Sequence, residues 1–458
     1  MINSIEFKNN KYKFIIPNKV IDGMNVFTVI TGKNGVGKSR ILSSITRHFI
    51  HDNDKAKLHR ELVMDFDRAY YDIEYENAPA RVIAVSTSAF DKFPIAKRRE
   101  RIDSYAYLGL RGLSSLNLSS EYLSRIISKL VSSIANKEID VYRISQVLNY
   151  LGYHDEIEIS FSVRFSEPKI REILHSRDRY EAFEHIFLRN TPFVNPINRG
   201  FFIDDDNQLY RDKVDYALDI MVGALVPRIG TAGSLSINNY GVQIDSPYFE
   251  INDDFLFLLE SGFVTTKSVI LHKKESNERF RISNASSGEQ CIVMSILGIA
   301  SQIQDNSIIC IDEPEICLHP EWQERYITIL METFKDFYKC HFIIATHSPQ
   351  ITSKLNSKNC FVLSMQDGKV YNASDFINRS IDFQLATIFK APGYKNEYLT
   401  RTLISYLAEL TENESIENSR TIEIEKIIGL KNIIDDSDPV KKLISLAENA
   451  IKERKNGL

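Results

Sequence analysis

Gly32-Lys33-Asn34-Gly35-Val36-Gly37-Lys38-Ser39 fits the spacing G-x-x-x-x-G-K-[ST], with a further glycine at Gly35. In such a loop the glycines let backbone N–H groups converge on one centre, and the helix that follows adds its positive end. Lys38 then reaches the terminal phosphates of a nucleoside triphosphate, and the Ser39 hydroxyl joins the shell of a Mg²⁺ ion. Further on, Ser307-Ile308-Ile309-Cys310-Ile311-Asp312-Glu313-Pro314 is an apolar run closed by two acids. A buried strand of that kind delivers carboxylates to the edge of a sheet where ligands bind. Asp312 is therefore the second candidate metal ligand, through water, and Glu313 the group that polarises an attacking water. ATP and Mg²⁺ are the predicted ligands. Another apolar run, Ile343-Ile344-Ala345-Thr346, ends on His347, a place that suits either a packed or a working histidine.

Ser286-Ser287-Gly288-Glu289-Gln290 opens a helix directly after a predicted strand. A helix N-terminus carrying a hydroxyl and a free backbone donor is an anion site, with Ser287, Gly288 and Gln290 as its contacts. The same residues also read as a capping box between Ser287 and Gln290.

These groups need a scaffold, and the hydropathy pattern supplies one. Ile5 and Phe7, then Tyr12 and Phe14, alternate around Lys8-Asn9-Asn10 as a β-hairpin. A strand over 25–31 enters the glycine loop, and a helix from Lys38 to about Ile50 leaves it. A second core strand follows over 81–86. From roughly Ser104 to Gly262 amphipathic helices (119–134, 168–188, 212–225) mix with one alternating strand over 157–165, which reads as an insertion. A hairpin around Glu275-Ser276-Asn277 is expected to return the chain to the head. Helix, strand, helix and strand then alternate from Ser287 to about Leu363, the rhythm of a mostly parallel sheet. Beyond Asp367 the chain is helical, with helices over 397–410 and after Asp438-Pro439. The expected class is α/β, divided into a head lobe (1–103), a mainly helical insertion (104–262), a second head lobe (263–366) and a C-terminal partner-binding or packing segment (367–458).

Composition narrows the setting. With 458 residues, 43% of them apolar, the chain can bury a large core. A net charge of -5 argues against coating nucleic acid by bulk charge, although Lys97-Arg98-Arg99-Glu100-Arg101 is a local basic run that would either touch a phosphate backbone or stay solvated. Five cysteines without a C-x-x-C pair suggest neither a disulfide framework nor a zinc ribbon, so a reducing cytoplasm is the expected location. The first residues lack the layout of a secretion signal and the longest apolar run is too short to span a bilayer, so no membrane is expected.

The serine-bearing segment resembles the signature of ABC ATPases, with Glu289 in place of the usual second glycine. That resemblance implies a head-to-tail sandwich in which Ser287 and Gly288 touch the γ-phosphate held by a second copy, with His347 as the switch histidine and Leu318-His319-Pro320 where the D-loop lies. No Q-loop glutamine is evident; the strand over 81–88 and the turn Ala89-Phe90-Asp91 stand in its place. About 250 residues between glycine loop and signature disfavour a transporter motor. No sustained heptad repeat supports a long-armed SMC, and the roughly 110 residues after His347 are few for an appended Toprim nuclease. Together with Ser86-Thr87-Ser88-Ala89-Phe90-Asp91-Lys92-Phe93-Pro94 and Tyr105-Ala106-Tyr107-Leu108-Gly109-Leu110-Arg111-Gly112, the pattern resembles the PtuA-like ATPases of Septu and retron-type anti-phage systems. That family implies a multimeric ATPase that carries a separate HNH nuclease, with DNA contacted directly or through the nuclease. No H-N-H signature occurs among this chain's own ten histidines. Leu403, Tyr406 and Leu407 are then either a docking surface or helix packing. A DNA-repair clamp of the RecF/SMC kind and an ATP-binding scaffold without turnover are the alternatives. Tyr12 and Phe14 are the aromatic candidates for an adenine contact.

Overall fold

The computed structural model describes the chain except for residues 51–71, 96–101, 103, 112–117, 190–196, 205–207, 356–357, 377–378, 412–417 and 456–458. The basic run 97–101 lies outside the described residues. At the centre is a seven-stranded sheet in the order Lys369–Asn372, Cys360–Ser364, Val26–Thr31, His341–Ala345, Ile308–Asp312, Val82–Ser86, Tyr105–Gly109. Every neighbouring pair is parallel except the hairpin made by the first two. Strands of this kind are covered on both faces and so read as continuous apolar runs. Val26–Thr31, Ile308–Asp312 and His341–Ala345 are buried at every position. Alternate residues serve opposite layers. Ile308, Cys310 and Ile343 pack with Ile41, Leu42 and Ile45 of the helix Lys38–Phe49. Ile309 and Ile311 face Ile292, Ile296 and Leu330 of the helices Ser287–Ala300 and Pro320–Thr333.

The order of the three central strands decides where the chemistry goes. Val26–Thr31, which feeds the glycine loop, pairs with His341–Ala345, which pairs with Ile308–Asp312; Ala345 stands in register with Ile30 on one side and Asp312 on the other. Parallel strands end on the same edge, so loop, histidine and acidic pair emerge side by side.

Two boundaries differ from the sequence reading. Tyr105–Gly109, placed in the insertion by the division at 103/104, is the edge strand of the head sheet, in register with Val82–Ser86. The hairpin Val264–Lys273/Arg279–Arg281, assigned to the second head lobe, instead completes a five-stranded antiparallel sheet with Tyr153–Val163, Gly230–Asn238 and Gly241–Asp245. Its apolar residues Val264, Val269 and Leu271 pair with the alternating strand and share that strand's buried side. The predicted helix over 168–188 is broken into Glu167–Leu174, Arg179–Phe183 and a π turn, Glu184–Leu188. Asp178 restarts it by accepting the N–H groups of Tyr180 and Glu181, a local cap that periodicity alone does not reveal.

The N-terminal hairpin forms as expected and joins Ile73–Tyr75 in a three-stranded sheet. At the other end Glu397–Thr411, Asn418–Ile428 and Pro439–Lys455 enclose their own core of Leu399, Leu403, Tyr406, Ile424 and Ile444. Asp438 caps the last of these helices by accepting the Val440 N–H at 2.9 Å. Leu403 and Tyr406 are thus internal, with Leu407 partly so, and the packing alternative holds for them rather than the docking one. Among the described residues no helix is long and apolar enough to cross a membrane. The five cysteines are free.

Candidate nucleotide site

The glycine loop is forced open by its own backbone. Gly37 has a φ of 114°, and a Cβ there would stand 2.7 Å from the Phe7 ring, so the N-terminal hairpin and the loop fit only with glycine at this position. The helix Lys38–Phe49 begins immediately after it. Lys38 is buried, and its ammonium donates to Gly32 O at 3.0 Å and to His347 Nε2 at 2.5 Å. Burial lowers the Lys38 pKa, and the nearby Glu313, Asp312 and Glu315 carboxylates oppose that shift. His347 is itself held neutral, at about 4, first by burial and then by the Lys38 charge, which is consistent with a ring nitrogen that accepts.

Ser39 Oγ donates to Asp312 Oδ1 at 3.1 Å, so the two candidate metal ligands are already together. Asp312 is buried, and desolvation pushes its pKa up to about 7, with Glu313 adding to the rise while the Ser39 hydrogen bond and Lys38 oppose it. A buried carboxylate that titrates this high beside a hydroxyl suits a divalent cation, which would supply the charge the carboxylate lacks. Ser39 and Asp312 would hold Mg²⁺, and its chemistry there would be to neutralise phosphate oxygens.

Glu313 adopts a left-handed conformation with φ 47°, uncommon for a residue with a Cβ. Its neighbours hold it there. Its N–H donates to Ala345 O at 2.9 Å and its carbonyl accepts from Thr87 Oγ1 at 3.3 Å. The side chain is thereby turned to the sheet edge, with Oε1 3.7 Å from His347 Nε2.

The signature segment is built differently from the sequence reading. Ser286, not Ser287, is the N-cap, and the reciprocal capping box joins Ser286 to Glu289 rather than Ser287 to Gln290. This explains a glutamate where ABC signatures carry glycine: its carboxylate closes the helix end. Ser287 is exposed, Gly288 is buried, and a Cβ on Gly288 would lie 3.2 Å from Trp322 and 3.7 Å from the Cys317 carbonyl. Gln290 donates to Ala285 O at 3.0 Å. The adenine candidates do not serve. Phe14 is fully buried and meets His341 edge-on with ring centroids 6.3 Å apart, and Tyr12 is also buried.

The roles of two groups went unnoticed in the sequence reading. Thr87 steadies Glu313, as described. Glu315 reaches across to accept the His347 N–H at 2.5 Å, and its other oxygen is buried without a hydrogen-bond partner among the described residues. The two segments that carried the family resemblance also meet: Tyr107 donates to Asp91 Oδ2 at 2.6 Å and Arg111 Nε lies 3.2 Å from Asp91 Oδ1. A third acid two residues beyond an acidic pair was the one visible hint of Glu315.

Known proteins resemble the chain over part or most of its length. The family model AAA_21, whose description opens "AAA domain" and refers to a Type IV TA system, matches residues 150–353. "Septu protein PtuA" of Bacillus thuringiensis is 23% identical over 431 residues, 93% of this chain and 92% of the relative. "Retron Vc95 probable ATPase" of Vibrio cholerae is 21% identical over 378 residues, 74% of this chain and 69% of the relative. "Retron Ec83 probable ATPase" of Escherichia coli is 27% identical over 160 residues, only 32% of this chain and 28% of that relative. The chain is a homologue of the Septu and retron ATPases. Its head is an α/β unit in which the glycine loop, the Asp312–Glu313 pair and His347 emerge along one edge of a parallel sheet.

Proposed function

We propose that the chain hydrolyses ATP at two composite sites, each closed by the signature helix of a second copy, and that this cycle controls an associated HNH nuclease in anti-phage defence. The observation that carries the reading is the convergence of Lys38, Ser39, Asp312, Glu313 and His347 on one sheet edge through contacts of 2.5 to 3.7 Å. Phosphate oxygens arriving over the glycine loop would compete with His347 for the Lys38 ammonium. The freed imidazole then faces the terminal phosphate, and Glu313, held by Thr87 and Ala345, accepts a proton from the attacking water.

Pairing is supported by the signature. Ser287 is exposed at the N-terminus of a 14-residue helix, an arrangement that presents a hydroxyl and helix-end donors outward to a ligand held by a twin. The nuclease reading rests on the homology to PtuA, and its docking must use a surface other than the buried Leu403 and Tyr406.

The test is Ser287→Arg. It should bind ATP like the wild type yet remain monomeric when ATP and Mg²⁺ are added to a Glu313→Gln background, as read by light scattering behind size exclusion. ATP-driven pairing by the double variant equal to that of Glu313→Gln alone would remove the composite site. Failure to co-purify with an HNH protein encoded beside it would remove the partner.

A further inference from the structure

The five-stranded sheet has an inner face of Ile157, Ile159, Phe161 and Val163 and an outer face that alternates with it along the same strand. The two ends of that outer face treat charge in opposite ways. At one end Glu158 is met by two neighbouring side chains: His272 Nε2 lies 2.7 Å from one carboxylate oxygen and the Arg279 guanidinium donates to the other. In the middle the face turns to hydroxyls, with Ser160 and Ser268 bonded across the strands at 2.6 Å.

At the far end the cations have only neutral partners. Arg164 Nε donates to Thr265 Oγ1 at 3.4 Å, and Lys267 Nζ donates to Thr231 Oγ1 at 2.8 Å. Among the described residues no carboxylate lies within ion-pair distance of Arg164, Lys267 or the exposed Arg228, which precedes Gly230 by two residues. Arg164 is half-buried, and burial lowers its pKa with no opposing charge. Ser162, Arg164, Thr231 and Lys267, together with the apolar Val163 and Ile229, line an open cleft of about 300 Å³ at this corner.

A guanidinium withdrawn from water and met only by hydroxyls keeps most of its desolvation cost, which an entering anion would offset. Its planar fork matches phosphate oxygens, and serine and threonine hydroxyls are ordinary partners for the sugar–phosphate chain. The cleft is larger than one phosphate needs, and hydroxyls continue from it along the sheet. We propose that this corner is a nucleic-acid site that grips the phosphate backbone of a strand laid across the outer face of the five-stranded sheet. It is independent of the ATPase reading, since none of its residues belongs to the nucleotide site. The overall charge of -5 makes it a local grip rather than a general attraction.

The experiment uses the full-length protein and mixed-sequence 5′-fluorescein oligonucleotides, single-stranded and duplex, read by anisotropy from about 50 to about 200 mM KCl. Lys267→Glu, Arg228→Glu and Arg164→Gln should each weaken binding about tenfold or more and reduce the salt slope by about one contact. Lys267 and Arg228 are exposed, so those two variants report even if the half-buried Arg164 variant unfolds. Arg279→Gln, at the paired end, should bind as the wild type does, and ATP turnover should be unchanged in all four. The proposal is overturned if the wild type binds neither oligonucleotide or if the three variants bind with wild-type affinity and slope. A third result would also overturn it: inorganic phosphate raising the thermal midpoint of the wild type, but not of Lys267→Glu, with no oligonucleotide bound would assign the cleft to a free anion.

Discussion

The strand His341–Ala345 has a histidine at its start and another just past its end, and the two are treated in opposite ways. His341 is fully buried with both ring nitrogens engaged: Nδ1 accepts the Ile2 N–H at 3.2 Å and Nε2 lies 2.9 Å from Thr28 Oγ1. Since the Thr28 hydroxyl donates to Phe14 O, Nε2 carries the proton, and every polar group there is accounted for. His347 shares its edge with a lysine whose burial works against its charge, a carboxylate titrating near 7 and a Glu315 oxygen with no hydrogen-bond partner among the described residues. The amino edge of the sheet spends its polar groups on holding the N-terminal hairpin. The carboxyl edge keeps charges in partial competition, the condition under which phosphate and metal can win them over.

If the carboxyl edge is the working one, substitutions there should cost activity out of proportion to stability. Glu313→Gln removes the proton acceptor while keeping the shape of the turn, so kcat should fall by about 10²–10⁴ with ATP affinity retained. Rapid-quench turnover alongside equilibrium binding checks it, and wild-type turnover would remove Glu313 from the mechanism. Lys38→Ala should cost about 2–5 kcal/mol of ATP affinity, because the phosphates lose a buried, charge-assisted donor. Unchanged affinity by calorimetry would mean that the glycine loop is not the phosphate cradle.

How much of this was legible beforehand depends on whether a group's partner is near it in sequence. Gly32 to Ser39 form one turn, so their spacing carries the geometry, and the buried strands before Asp312 and His347 announce themselves as apolar runs. The meeting of Lys38 with His347 follows once a βαβ rhythm puts their strands in one sheet. Thr87 and Glu315 escaped because each acts on a backbone atom across a strand boundary, and a backbone partner leaves no residue type to recognise. The insertion's boundaries were misplaced for a related reason. Tyr105–Gly109 is a short run buried at every position and Val264–Lys273 a longer, intermittently buried one, but both flank the helical stretch, and hydrogen-bond pairing is what assigns each to its sheet. The Glu289 capping box was visible in the letters but was read one residue late.

Competition at the carboxyl edge also predicts a stability gain on disarming it. Unfolded, Asp312 has an ordinary carboxylate pKa; folded, it rises to about 7, so the native state holds the extra proton and stability falls as pH climbs between those values. Above pH 7 the metal-free protein therefore carries a buried charge that Asp312→Asn lacks. In EDTA at pH 8 the variant should be more stable by ~2–4 kcal/mol. Mg²⁺ with ATP should raise the thermal midpoint of the wild type more than that of the variant. A variant less stable than the wild type in EDTA would show that Asp312 is structural rather than poised.

The amino edge gives the smaller effect, of opposite sign. Burial, and to a lesser degree the chain-terminal ammonium, lower the His341 pKa to about 3, against an ordinary value of 6.5. As pH falls below 6.5 the unfolded chain takes up a proton that the folded one refuses, so stability drops progressively until the folded pKa is reached. From pH 7 to pH 5 this single residue should cost the wild type about 2 kcal/mol. His341→Gln can still accept from Ile2 and donate to Thr28, so it should fold and lose that part of the acid sensitivity. Urea unfolding of both proteins at the two pH values measures the difference, and equal losses in each would mean that the acid sensitivity of the sheet originates elsewhere than at its amino edge.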